Sequence, residues 1–316
     1  MVEATLLKSN KSGFYGGIDE PTTFKLDQIK AKDVVLIVDP FQEQLVMQQI
    51  NKISAASKCN KLGLLLSPVS ALYGVNETTG LVIDINDTGL YLSTVFEGKF
   101  LPYCSLKYPY STDDLFIHFK REILPKIQHN VPENKYSALF QALLKESVPN
   151  DERDCAFIAI EEEEAFEGEI KLDNDIYHVK IPIKSRIALF DDLLKNHNFF
   201  DILYFTLSRI PNRIRNTLAS HILLTGAFVI SDFESIIRTG LFKYLCNSDQ
   251  VNENQLNSIA FINRLAIDYL EIAREQALLW FAGGQMSRKY LMQDEKYHLS
   301  QGEFGNINLI LNKLCN

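Results

Sequence analysis

The hydrophobic positions change period several times along the chain, and each change marks a different element. Asp33-Val34-Val35-Leu36-Ile37-Val38 is a continuous apolar run rich in β-branched side chains. Closed by Asp39-Pro40, it predicts a buried strand that ends in a turn. Residues 41–57 place Leu45, Val46, Ile50 and Ile53 at helical spacing, and Leu62 to Leu66 is a second short apolar run. The order is strand, helix, strand, with a right-handed crossover as the default. Pro68 suits the first turn of a short helix reaching Tyr73, where its missing N–H is harmless. Gly80 to Ile85 and Gly89 to Phe96 then read as two strands of a hairpin joined by Asn86-Asp87-Thr88.

From Ser111 to Glu146 the pattern predicts two helices, with Pro125 and Pro132 as breakers, followed by strands at Cys155 to Ile160 and Ile176 to Ile183. An amphipathic helix is expected over Phe200 to Ile210, a second after Pro211, and a strand from His221 to Thr225 ending at Gly226. Ligands of open α/β sheets bind at such strand ends. Further helices are expected at Asp232 to Leu245 and Ile267 to Phe281, with a polar loop at Asn247 to Gln255. The fold class is α/β, and a change of organisation near residue 98 suggests a second domain starting there.

Composition narrows the classes. The 316 residues are 46% hydrophobic and 23% charged, the balance of a folded globular chain. The formal charge of −8 opposes long-range attraction to phosphate backbones, so no direct nucleic-acid partner is expected. Arg209, Arg213 and Arg215 cluster locally and read as a solvated helix entrance or a small basic patch. Glu161 to Glu164 with Glu167 read as a solvated rim or an acidic docking surface. The five cysteines are scattered without a CxxC pair, as in reduced thiols, and the six histidines show no metal-ligand spacing. No apolar run is long enough to span a membrane, and Met1 to Asn10 does not resemble a signal peptide.

Four ordered segments resemble the actin and actin-related protein family. Gly13-Phe14-Tyr15-Gly16-Gly17-Ile18-Asp19-Glu20-Pro21 is similar to its early GFAGDDAP segment. Ser70-Ala71-Leu72-Tyr73-Gly74-Val75-Asn76-Glu77-Thr78-Thr79-Gly80-Leu81-Val82-Ile83-Asp84 resembles SLYASGRTTGIVLD and runs on into Val95-Phe96-Glu97-Gly98, like IYEG. Arg213 to Leu218 with His221 to Gly226 resembles DIRKDLYANNVLSGG, and Trp280-Phe281-Ala282-Gly283 resembles WIGG. The resemblance implies an actin-like fold of two α/β halves facing a nucleotide cleft. Residues 1–97 plus 265–316 would form the first half and 98–264 the second. The small pointed-end subdomain of actin would be reduced or deleted between Phe24 and Asp33.

The same resemblance locates a degraded nucleotide pocket. The family cradles phosphates between two turns whose glycines admit backbone amides. The first turn, DNGSG, falls on Ala4, Thr5, Leu6, Leu7 and Lys8, without its aspartate or glycines, unless a gap restores some register with Ser9-Asn10. The second, DSGDG, falls on Asp84, Ile85, Asn86, Asp87 and Thr88, which keeps both carboxylates and loses both glycines. Asp87-Thr88-Gly89 is either a hairpin turn with solvated carboxylates, the favoured reading, or a metal site. The family's water-positioning glutamine is matched by Ser67, and its adenosine-side LSGG or LTGG by Leu224-Thr225-Gly226-Ala227. Asp84, Asn86, Asp87, Gly226 and Ala227 are therefore the remnant cofactor-binding residues, with no catalytic or metal residue assigned. The expectation is a pseudo-ATPase that neither hydrolyses nor tightly holds ATP.

What the resemblance implies for function is a non-catalytic subunit of a cytoplasmic, cytoskeletal assembly. Its partners would be other actin-related proteins and dynactin subunits in a hetero-oligomer, where it caps the pointed end of the short actin-related filament in dynein-driven, microtubule-based movement. The alternative is an actin-related subunit of a nuclear chromatin-remodelling complex. A working ATPase or small-molecule kinase on the same fold would need a first-turn aspartate, which is missing.

Overall fold

The computed structural model describes residues 33–41, 47–48, 50–51, 60–145, 165–172, 175–182, 188–227, 236–237, 240, 298–300 and 303. The segments at Ala4–Lys8, Gly13–Pro21, Phe24–Asp33, Cys155–Ile160, Asn247–Gln255, Ile267–Phe281 and Trp280–Gly283 lie essentially outside the described residues, as do Glu161–Glu164 and most of the 232–245 stretch.

The first apolar run is β1 (Asp33–Val38), and it pairs in parallel with β2 (Lys61–Leu66) from Asp33↔Lys61 to Val38↔Leu66. Residues 47–48 and 50–51 are helical, in the stretch where the sequence calls for the crossover. Helix α1 (Ser67–Gly74) follows at once, with Pro68 in its first turn, as the sequence predicts. A short strand near the C-terminal end, His298–Ser300, pairs antiparallel with β2 and completes a three-stranded sheet.

The second sheet carries the hairpin. Strands β3 (Gly80–Asn86) and β4 (Gly89–Phe96) pair from Gly80↔Val95 to Asn86↔Gly89, leaving Asp87 and Thr88 as the turn. Lys99–Phe100 and Leu106–Tyr108, here β5 and β6, both pair antiparallel with β4. The sheet thus spans the division at residue 98 expected from the sequence.

Beyond β6, a Ser111–Asp114 capping box opens helix α2 (Thr112–His118), the first of the two helices expected before Glu146. Pro125 lies in the short 3₁₀ turn that ends this helical stretch, and Gln128–His129 forms β7. The second helix is α3 (Tyr136–Lys145). A separate three-stranded sheet orders β7, β9 (Asp175–Pro182) and β8 (Ala165–Leu172), all antiparallel.

Helices α4 (Phe199–Arg209) and α5 (Asn212–Ala219) flank Pro211 and lead into β10 (Ile222–Gly226). This last strand returns to the second sheet and lies parallel to β3. The final sheet order is β10-β3-β4-β5, and the His298–Ser300 strand is β11.

Both faces of the second sheet are covered, which is why Leu81-Val82-Ile83 of β3 and Ile222-Leu223-Leu224 of β10 are apolar on consecutive positions before polar residues enter at the strand ends. Leu81, Ile83, Ile85, Leu90, Leu92, Ile222 and Leu224 face a core built on Tyr110, Phe119, Phe140 and Phe199. The intervening positions Val82, Val95 and Leu223 face a second core with Val35, Leu36, Leu62 and Leu72. The protein is therefore mixed α/β, with the hairpin sheet layered between two hydrophobic cores.

Candidate functional site

Parallel pairing of β3 with β10 brings two segments that are remote in sequence to one place. Thr225 stands beside Asp84 and Gly226 beside Ile85 at the C-terminal ends of the strands. Gly226 has φ +71°, in the region that favours glycine. A Cβ built on it would meet the Ile85 carbonyl oxygen and stand 2.5 Å from Asp84 Oδ1. Two of the five expected site residues, Asp84 and Gly226, are therefore in contact distance.

The turn itself is closed by side chains. Asn86 is 6% exposed, and its carboxamide is used on both sides. Its Nδ2 donates to Asp84 Oδ2 at 2.8 Å, and its Oδ1 accepts from Thr88 N at 2.8 Å and Thr88 Oγ1 at 2.7 Å. The Thr88 hydroxyl proton is directed to Asn86, so at the 2.5 Å contact with Tyr91 the phenol is the donor. Asn and Asp side chains commonly close their own backbone two residues on, and here that closure takes the Thr88 N–H. Asp87, half-buried, occupies the turn between them. Gly89 follows at φ +147°, and a Cβ there would come within 2.8 Å of the Tyr108 carbonyl oxygen.

Register extends this into a row across four strands. Thr225, Asp84, Tyr91 and Lys107 are successive cross-strand partners on β10, β3, β4 and β6. Cross-strand partners share a face. The Lys107 ammonium sits 5.1 Å from the Tyr91 ring centre, within cation–π range. From the other sheet, Phe41 packs on Tyr91 with centroids 5.3 Å apart and meets Phe100 edge-on at 5.8 Å. Asp39 Oδ1 accepts from Phe41 N at 2.8 Å, so the Asp39-Pro40 turn aims the ring.

Ala227, the fifth expected residue, is buried with the Tyr110–Phe199 core. Ser67 is half-buried at the start of α1. Among the described residues no three His, Cys, Asp or Glu side chains converge as they would around a metal, and no helix is long and apolar enough to cross a membrane. Sequence reasoning missed Tyr91, Lys107 and Phe41. Tyr91 was within reach, because counting back around a two-residue turn sets it opposite Asp84. Lys107 was not, since its strand is three residues long.

The arrangement is a hydrogen-bonded knot with an aromatic cover. Its one turn amide known to be committed, Thr88 N, points at Asn86, and the backbone at 86 and 88 carries side chains where a close-approaching anion needs glycine. Neither a protein-family model nor a curated protein sequence matches the chain.

Proposed function

We propose that this chain is a non-catalytic actin-related subunit of a cytoskeletal assembly, capping the pointed end of the short actin-related filament of dynactin in the cytoplasm. The observation that carries the reading is the closed Asn86–Thr88 turn, whose amide is bonded within the chain. The family's phosphate turn presents such amides to the nucleotide, and a chain that turns one inward keeps the shape of the fold without the cycle. Asp84, which in the family would organise a metal and its waters, accepts from Asn86 instead. These residues do not suit a magnesium triphosphate, and no catalytic step is assigned to them.

Further support comes from placement. The two resembling segments Ser70–Asp84 and Arg213–Gly226 are adjoining elements, with the hairpin turn and the Thr225-Gly226 end side by side on parallel strands. Without the pointed-end subdomain, such a subunit sits on a filament end and offers no platform for the next one.

Affinity purification under mild lysis, followed by mass spectrometry, tests the reading. Co-purification with a short actin-related filament and other pointed-end proteins is the expected result. Recovery as a free monomer, or as a stable nuclear pool bound to chromatin-remodelling subunits, would reject it. Calorimetry with magnesium ATP is expected to show no micromolar binding and no phosphate release.

A further inference from the structure

Among the described residues, the two exposed large aromatic side chains sit on elements in contact, the 3₁₀ turn Pro102–Cys104 and helix α4. Tyr103 is 82% exposed and Phe205 is 52% exposed. Arg209, one turn beyond Phe205, holds its guanidinium 5.4 Å from the Phe205 ring centre, and Arg213 stands exposed at the start of α5. Single exposed hydrophobics are ordinary, but a tyrosine, a phenylalanine and two arginines carried by adjoining elements, here called the ridge, have the composition of a binding hot spot.

The ridge is held rigid from below. Arg215 Nη2 donates to Ser208 O and Ile210 O at 2.9 Å, and its Nε donates to Ile210 O at 3.2 Å. That guanidinium staples the α4–α5 connection, while Ile210 is fully buried beneath it. Cys104 Sγ donates to Arg209 O at 3.3 Å and ties the 3₁₀ turn to the helix end. On such a frame the backbone that carries the ridge need not be ordered on association, which leaves only the side-chain rotamers to be fixed.

From this geometry we infer that the Tyr103–Phe205–Arg209–Arg213 ridge is a protein docking surface, and that its partner is an acidic segment bearing an aromatic or aliphatic anchor. Charge complementarity selects that occupant. Among the described residues neither Arg209 nor Arg213 has a carboxylate within ion-pairing distance, and exposed guanidinium groups form two-pronged bonds to carboxylates. A nucleic-acid partner is disfavoured because two arginines on a chain of net charge −8 cannot neutralise a phosphate backbone. A second copy of the chain would bring a like-charged ridge to this one in a symmetric contact. The inference concerns one surface and holds whatever assembly the chain joins.

The test uses the full chain and a fluorescent peptide with glutamates on both sides of a Trp-Leu anchor. A peptide with lysines in place of the glutamates and a single-stranded oligonucleotide serve as comparison probes. Binding by anisotropy is expected for the glutamate peptide, weakening as salt rises, with Tyr103→Ala and Arg209→Glu each reducing affinity about tenfold or more. Ile176→Ala, at an exposed site on β9, leaves it unchanged. Both ridge side chains are exposed, so thermal melts of the variants should match the parent. Absence of glutamate-peptide binding, equal binding of the lysine peptide, or preferential capture of the oligonucleotide overturns the proposal. So does self-association that Arg209→Glu abolishes, because the occupant would then be a second copy.

Discussion

Asp84 and Gly226, on neighbouring parallel strands, lie so close that a Cβ placed on the glycine would stand 2.5 Å from Asp84 Oδ1. That proximity makes Gly226 the least replaceable residue of the site. Gly226→Ala would have to hold φ +71° and displace the Ile85 carbonyl as well as the aspartate. A strained left-handed residue costs about 1–3 kcal/mol, and overpacking adds about as much. Urea denaturation should show a loss of at least about 2 kcal/mol. Adding Asp84→Gly should recover only part of it, because the carbonyl and the backbone angle remain. Full recovery in the double variant would mean that the carboxylate alone sets the constraint.

Asn86 organises the turn through three hydrogen bonds from one buried carboxamide. Asn86→Ala leaves Asp84 Oδ2 without that donor and Thr88 without its acceptor, at a cost of about 1–3 kcal/mol in chemical denaturation. Asn86→Asp is the sharper variant. It sets a carboxylate where an amide donated to Asp84, so one of the two acids must hold a proton in the fold. A folded-state pKa raised in this way gives stability that is present at low pH and lost as pH rises through the raised value. The variant should therefore gain stability relative to the parent as pH falls from 7 toward 4. Parallel stability curves would show that the two side chains do not meet.

How much of this was legible beforehand depended on whether the information was local. Strands β1, β3, β4 and β10 are short runs rich in apolar residues, helix α4 is an amphipathic one, and α1 and α5 are marked by Pro68 and Pro211 at their starts; each lies within a residue or two of its expected place. Strand β8 was hidden, because Phe166-Glu167-Gly168-Glu169 continues the acidic run and reads as a charged rim until β9 pairs with it. Strands β5, β6 and β7 are two or three residues long, too short for any periodicity. In the site, Asn86 was visible only as a missing glycine. Its positive role as the acceptor for Thr88 needs the turn geometry, and the meeting of Asp84 with Gly226 needs a parallel pairing between distant segments.

Lys135 and Asp175 give a pH signature remote from the site. Lys135 Nζ donates to Asp175 Oδ2 at 2.7 Å, and Tyr177 OH donates to the same oxygen at 3.2 Å. These bonds, the lysine's first, hold the Asp175 carboxyl below its usual range. Its folded value is depressed, so the stability it supplies is present above about pH 4 and disappears as pH falls through the folded value. The pair is solvent-accessible, so the contribution is small and screened by salt. Asp175→Asn should flatten the low-pH limb of the stability curve at low ionic strength and lower the plateau above about pH 6 by a small amount that does not vary with pH. An unchanged acid limb would remove the pair from the balance.

Tyr110 offers the opposite sign at the alkaline end. The side chain is fully buried, and burial first, then the nearby charge of Asp192, pushes its phenol well above the ordinary tyrosine range. The folded chain holds the phenol proton more tightly than the unfolded chain does, where tyrosine ionises near about pH 10. The resulting stabilisation is complete below about pH 10 and is lost as pH rises toward the folded value. Tyr110→Phe keeps the ring in the core beside His197, whose centroid lies 4.7 Å away. At pH 7 the change should be within about 1 kcal/mol. Above about pH 10 the variant's stability should decline less steeply than the parent's, since one of the 13 tyrosines no longer ionises only on unfolding. Following absorbance at 295 nm alongside circular dichroism separates the two events. In the parent, one phenol should titrate with the unfolding transition, and a phenol that titrates freely before unfolding would place Tyr110 in contact with solvent.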